Sequence, residues 1–399
     1  MNGPEQRSEP AAARRNAIIF IVLIGCVSLF ADMTYEGGRS IAGPFLGSLG
    51  ASAVIVSTIA GFGEFLGYGV RYFSGRAADR SGRYWPLLLS GYVINLLSVP
   101  LLALAGNWPV AALLLVMERF GRAIRAPIRG AMLSHAASRT GAGWGFGLHT
   151  ALDQTGGLSG PLLVALLLAA GAGFHRSFAA LLLPALAALL LLALARRLYP
   201  DPRKLELHVP AVDPAAWVGF GSKFRQLTVA ASLMAAGFAD FALIGFHFAR
   251  VHTVPLAWIP AVYAAGMAAE GVAALLLGWM FDRMGPRAVA AGILLATLAV
   301  PLVFFGGAGW AVAGVVLWGV GMATQDTLFQ AMLGELITPA RRATAYGLFD
   351  AIRGTAWLLG SIALGLLYGA GLIWLVAASV LLQAAAIPVF LRAAQRDRL

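Results

Sequence analysis

Ionisable side chains recur inside stretches of this chain that are otherwise apolar, at spacings that could do chemistry. Asp32, Glu36 and Arg39 follow at i, i+4 and i+7, which on a helix sets all three on one face. Glu118, Arg122, Arg125 and Arg129 form a second stripe, with Arg119 beside it. His149 and Asp153 stand at i, i+4. Asp240, Glu270, Asp326, Asp350 and Arg353 are scattered through later apolar runs, and Glu64 and Arg71 through an earlier one. A carboxyl carried between wet and dry surroundings can take up a proton in one place and release it in another. Guanidinium forks suit a carboxylate or phosphate, and they serve equally to brace one end of a bundle against acidic residues. Ionisable groups inside apolar spans are expensive and point to function, although many are expected to pair off, Arg119 with Asp32 or Asp153 and Arg353 with Asp350. Arg129 is expected to snorkel to the surface or to pair with Asp79.

Other chemistries lack their residues. There is no Walker-type phosphate loop, no Cys/His cluster at metal-ligand spacing, no nucleophile elbow and no His-Glu-x-x-His pattern. The expectation is a protein that is not an enzyme and has no cofactor and no metal. The single cysteine, Cys26, excludes a disulfide within the chain.

The elements that must hold these residues are membrane helices. Hydrophobic residues make up 59% of the 399 and charged residues only 12%, against about 25% charged in soluble domains; mean hydropathy is +0.79. Apolar runs of bilayer-crossing length are expected near 16–40, 52–74, 84–105, 109–135, 143–171, 174–198, 225–250, 256–280, 287–305, 309–337, 343–368 and 371–393. That is an all-α integral membrane protein of twelve transmembrane helices. Arginines and lysines gather in the loops of one side, such as Arg76, Arg80, Arg83, Arg139, Arg196, Arg197, Arg283, Arg287, Arg341 and Arg342, while the opposite loops near 106–108, 306–309 and 369–371 have none. The positive-inside rule makes that basic side cytoplasmic, with both termini on it. The net charge of +11 then reflects orientation, and no nucleic-acid partner is expected.

The chain repeats itself. GRAADRSGR at 75–83 returns as GWMFDRMGPR at 278–287, each between two apolar runs and each read as a tight loop. Asp32 corresponds to Asp240, Glu64 to Glu270, AMLSH at 131–135 to AMLGE at 331–335, and GFGLHTALD at 145–153 to AYGLFDAIR at 345–353, all at offsets of 200 to 208 residues. The repeat predicts two pseudo-symmetric six-helix bundles, with a cavity between them near the membrane midplane. The expected divisions are an N-terminal tail 1–15, a first bundle 16–198, a linker 199–224 with four prolines, a second bundle 225–393 and a C-terminal tail 394–399.

The first loop, Gly75, Asp79, Arg80, Gly82 and Arg83, resembles the signature loop of the major facilitator superfamily, and Asp282 and Arg283 belong to its degenerate second copy. The resemblance covers essentially the whole chain and implies the fold of that family, with these loops latching one state of a rocking transporter; an anion at a helix N-terminus is the physical basis. Gly147, Gly156, Gly160 and Pro161 are similar to the antiporter motif of the proton-driven exporters in the superfamily, with Val164 and Ala165 where that motif ends in two glycines. The resemblance makes Asp32, Glu36 and Asp153 candidates for proton coupling, because their spans line the cavity in this family. It also places Arg119 at the arginine linked to proton transfer, although Arg122-Ala123 replace the Gln-Gly that comes next there. Arg122, Arg125, His149, Asp240 and Asp326 are the candidate substrate-binding residues.

Together these features imply a secondary active transporter moving a small organic solute by alternating access, expected to export it against protons. A proton-coupled importer of an organic anion is the alternative, and a membrane enzyme or sensor a further one. Its partners would be a small-molecule substrate, protons and the lipid bilayer of the cell membrane, and it is expected to be a monomer.

Overall fold

The structure is a computed structural model that describes residues 5–81, 83–140, 142–201, 221–336 and 342–394. A chain this apolar has one way to satisfy its backbone within lipid, which is to coil every span into helix, and the described residues form helices without a strand. The twelve segments are α1 (Glu5–Ser48), α2 (Ala53–Ser81), α3 (Tyr84–Leu101, prolonged by a 3-10 turn), α4 (Trp108–Thr140), α5 (Ala142–Ala169), α6 (Gly173–Ala180 and Leu182–Leu198), α7 (Ser222–Gly237 and Phe241–Val251), α8 (Ile259–Met284), α9 (Pro286–Phe305), α10 (Ala308–Ala323, a π turn Thr324–Leu328, then Phe329–Leu336), α11 (Arg342–Ala370) and α12 (Leu372–Ala394). Eleven are long and apolar enough to cross a membrane. The exception is α4, where Glu118 and five arginines lower the hydropathy of a 33-residue helix. It is held by where those charges point: Glu118 and Arg125 are buried.

Two breaks bear on the site. Helix α7 opens at Phe238–Asp240 and restarts with Asp240 as its cap, the carboxylate accepting from the Ala242 N–H at 2.9 Å. In α10 the π turn frees carbonyls that an α-helix would bond internally.

The segments assemble as two groups of six, packed along α1 against α7, α2 against α11 and α5 against α8. The last two pairs exchange under the internal repeat. On the side away from the basic loops the groups share one apolar core, in which Phe45, Leu46 and Val56 join Phe241, Phe246 and Trp357. There α1 and the second piece of α7 touch backbone to backbone at Gly43, where a Cβ would strike the Ala242 carbonyl. On the basic side the N-terminal group has a separate core of its own, with Phe20, Trp85, Tyr92, Met132 and Leu192. The bundles are therefore joined at one end and part toward the other.

Several boundaries move. The helix of α1 begins at Glu5, within the expected tail, and runs to Ser48. The second bundle starts at Ser222; residues 202–220 of the expected linker, and 395–399 of the tail, lie outside the described residues. The first basic motif is mostly helix: Gly75 to Ser81 are the last two turns of α2, and only residues 82 and 83 connect to α3. Its repeat likewise closes α8, and Gly285 turns with φ of 59° before α9 starts at Pro286. An Asp-Arg pair at a helix end reaches water without a loop, so the charge pattern located the turn correctly but lengthened it.

Candidate functional site

A cavity of about 270 Å³ lies between the bundles, walled by α1, α2 and α4 on one side and α8, α10 and α11 on the other. Five carboxylates and five arginines line it: Glu36, Arg39, Glu64, Arg71, Arg119 and Arg122 from the N-terminal bundle, and Glu270, Asp326, Asp350 and Arg353 from the C-terminal one. Tyr68, Tyr263, Trp318 and Trp357 complete the wall with Met267 and Met322.

The charges make a linked network. Arg39 Nη2 donates to Glu64 Oε1 at 3.0 Å and lies 3.5 Å from Asp240 Oδ2, across the bundle interface. Arg119 meets the same Glu64 oxygen at 3.1 Å and reaches Glu118 at 3.3 Å. Asn95 fastens Glu118 with a 2.9 Å hydrogen bond. The Tyr263 hydroxyl donates to Glu36, a second link between bundles. Glu36 has arginines only at arm's length, Arg39 and Arg122 each at 4.0 Å. Arg122 instead stacks on the Tyr35 ring, 4.3 Å from its centroid. In the opposite wall Arg353, its side chain only 1% exposed, serves Asp326 at 3.2 Å, Asp350 at 3.7 Å, the Tyr68 hydroxyl at 2.6 Å and the Gln325 carbonyl that the π turn leaves free. Exposure within the cavity varies widely, from 4% for the side chain of Glu36 to 43% for that of Asp326.

A second polar cluster sits inside the N-terminal bundle, outside the cavity wall. Arg125 approaches Asp32 at 3.7 Å and covers the Tyr92 ring. Arg129 binds Asp153 at 3.2 Å and the Ser28 hydroxyl at 2.8 Å, and that hydroxyl meets His149 Nε2 at 2.9 Å.

The expected site residues thus fall into three places. Glu36, Arg119, Arg122 and Asp326 line the cavity. Asp240 borders a small adjoining void with Arg39 and Arg119. Asp32, Asp153, Arg125 and His149 form the inner cluster. Arg119 pairs with neither Asp32 nor Asp153, and Arg129 turns inward to Asp153 instead of reaching the surface. Of the basic motif, Arg80, Arg83, Asp282 and Arg283 are exposed, and Arg283 stacks on Trp279; Gly82 and the side chain of Asp79 lie outside the described residues. The α5 motif is a packing surface: a Cβ at Gly156 or Gly160 would strike the carbonyls of Leu29 and Met33 in α1, whereas Gly147 faces open space and α5 runs through Pro161 unbroken. Among the described residues no group of three or more His, Cys, Asp or Glu side chains is placed to hold a metal ion.

The arrangement, two like bundles around a charged cavity, accords with the family comparison, in which the Major Facilitator Superfamily matches residues 21–361 and 252–398. The chain belongs to that superfamily. An uncharacterised protein of Mycobacterium tuberculosis is 39% identical over 355 residues, covering 88% of this chain and 86% of its own length. An uncharacterised transporter of superfamily type from Methanocaldococcus jannaschii is 27% identical over 143 residues, 36% of each chain. Among solved structures, a mutant of the nucleoside transporter NupG superposes with a TM-score of 0.75 over 93% of this chain and all of that one, at 14% identity. A bacterial homologue of the human lysosomal transporter Spinster, inward-facing and occupied, gives 0.74 over 94% and 96%, at 16% identity. These structures share the fold of this superfamily member.

Several cavity residues are not marked as site residues by the sequence, among them Arg39, Glu64, Tyr68, Arg71, Tyr263, Glu270, Asp350 and Arg353. Glu64 and Glu270 had a signal, since they correspond under the repeat; both line the cavity, Glu64 between two arginines and Glu270 with none. Tyr68 and Tyr263 had no signal, because nothing in a span tells a tyrosine that meets an ion from one that packs against lipid.

Proposed function

We propose that this member of the superfamily is a proton-coupled secondary transporter that exports a small solute, with its basic loops and both termini in the cytoplasm. The observation that carries the proton coupling is Glu270. Its Oε2 is shielded from solvent and has no hydrogen-bond partner, and no arginine or lysine among the described residues lies within ion-pair distance. Glu36 and Asp326 line the same cavity as like charges. A lone carboxylate in such a place is unfavourable and is neutralised by a proton or by a cationic group of the cargo. A proton and a cargo that compete for one carboxylate exchange across the membrane. Glu36, held by Tyr263, and Arg119, held by two glutamates, tie this exchange to the contact between bundles. Asp32 and Asp153 form a reserve pair one layer behind.

Export rests on the α5 glycine pattern. Import is the second reading, favoured because close packing against α1 already accounts for Gly156 and Gly160. Sealed vesicles holding purified protein and a pH-sensitive dye decide between them. Under an imposed pH gradient, solute-driven proton movement opposite to the solute is expected in the wild type and in Asp32→Asn, and its loss in Glu270→Gln. Movement in the same direction establishes import, and undiminished coupling in Glu270→Gln removes that residue from the mechanism.

A further inference from the structure

The cavity is electrically lopsided. Its N-terminal wall carries four arginines and two glutamates, its C-terminal wall three carboxylates and one arginine. Internal pairing does not cancel the difference. Arg39 and Arg119 are engaged at 3.0 to 3.1 Å by Glu64. Arg71 forms no ion pair among the described residues, its Nε is buried without a partner and its guanidinium lies 5.5 Å from the Tyr68 centroid. Besides its stacking on Tyr35, Arg122 has one ion pair among the described residues, the 4.0 Å contact with a glutamate that Tyr263 already holds. On the other wall Asp326 and Asp350 share Arg353, and Glu270 is left alone. The uncommitted charges are therefore two cations on the N-terminal wall and one anion on the C-terminal wall. Tyr263 and Met267 share the face of α8 that carries Glu270, and the lining there holds no arginine or lysine of that bundle apart from Arg353, which two aspartates occupy. A volume of about 270 Å³ sits at the lower end of ligand cavities and admits a small solute.

We infer that the cargo is a small zwitterion, with its carboxylate or phosphate on Arg71 and Arg122 and its ammonium group on Glu270. This inference rests on the transporter reading and gives it a substrate class. A solute with one charge leaves one wall unanswered, and a zwitterion answers both while bridging the two bundles that must move together.

Trp318 and Trp357 in the wall allow a fluorescence titration of the purified protein in detergent. The probes are amino acids, dipeptides and phosphoethanolamine, each beside its N-acetylated counterpart and its esterified or amidated one, with acetate, benzoate and tetraethylammonium as singly charged comparators. Zwitterions are expected to bind, and blocking either end to weaken binding about tenfold or more. The amine-blocking effect should vanish in Glu270→Gln and the acid-blocking effect in Arg122→Gln, with the unfolding midpoint of each variant confirming that it folds. Carboxyl probes alone or the phosphate probe alone responding would tell the two anionic ends apart. Blocked forms that bind as well as their parents, binding by the comparators alone, or no zwitterion binding to folded protein would each overturn the inference. Zwitterion binding without counterflow in vesicles would defeat the transport reading while leaving this one standing; counterflow of a singly charged comparator alone would do the reverse.

Discussion

At the scale of single residues, what separates this site from a set of internal salt bridges is uneven sharing. Glu64 has two arginines, Glu270 has none, and two aspartates divide Arg353. Arg353 is then the residue whose loss leaves most uncompensated. Replacing it by leucine strands Asp326 and Asp350 together beside Tyr68; a fully buried pair broken in this way costs about 3 kcal/mol, and the 43% exposure of Asp326 lowers the cost here to about 1–2 kcal/mol. Arg353→Leu is expected to lower the unfolding midpoint in detergent by that order, and Arg353→Leu with Asp326→Leu to recover part of it, because the second change removes the stranded charge. A single variant as stable as the wild type would show that Arg353 is held for function alone. The sequence placed all these residues in the membrane, yet it mispaired Arg119, and it gave no sign that Arg129 meets Asp153. Partner choice depends on how neighbouring helices are rotated, and helical spacing fixes only which residues of one helix share a face.

At the scale of helices, more was legible. Hydropathy and charge located every segment, including α4, whose arginine stripe masks its membrane character in a composition window. The repeat predicted the pairing of halves, and the structure adds that α4–α5 and α10–α11 are tied by the same type of ion pair with the charges exchanged: Arg129 with Asp153, and Asp326 with Arg353. The breaks in α7 and α10 were not legible, since Asp240 and Asp326 read as ordinary intramembrane acids until the backbone around them is seen. The glycines of α5 were legible as a motif and not as a contact. Their role is steric. Gly160→Ala would push a methyl group into the Met33 carbonyl, an overpacking worth about 1–3 kcal/mol, whereas Gly147→Ala meets nothing within 4 Å and should shift stability by less than about 0.5 kcal/mol. Thermal unfolding of the two variants side by side checks this; equal losses would mean that the α1–α5 contact is looser than described.

At the scale of the molecule, one apolar core welds the bundles at the end away from the basic loops, while the polar cavity occupies the middle and the N-terminal bundle keeps a core of its own toward the other end. In the proposed transport cycle the welded end opens in turn, and α2 and α11 separate there. Ser57 and Gly365 mark that contact: a Cβ on Gly365 would lie 3.0 Å from the Ser57 Cβ, a small shift short of the spacing a disulfide needs, about 3.5–4.5 Å. Because Cys26 is the only native cysteine, a Cys26→Ser background gives a clean test. In that background, Ser57→Cys with Gly365→Cys is expected to form a disulfide under mild oxidation, to stop solute-driven proton movement in vesicles, and to regain it when a reductant is added. Each single variant, carried through the same cycle, should keep its flux. The coupled network supplies the reason for expecting arrest in place of mere slowing. Tyr263–Glu36 and Arg39–Asp240 cross the interface at the level of the cavity, and with the far end locked they cannot exchange partners as the bundles rock. Full flux through the oxidised protein would mean that the α2–α11 contact is not part of the moving gate, and that opening occurs at the α1–α7 or α5–α8 contacts.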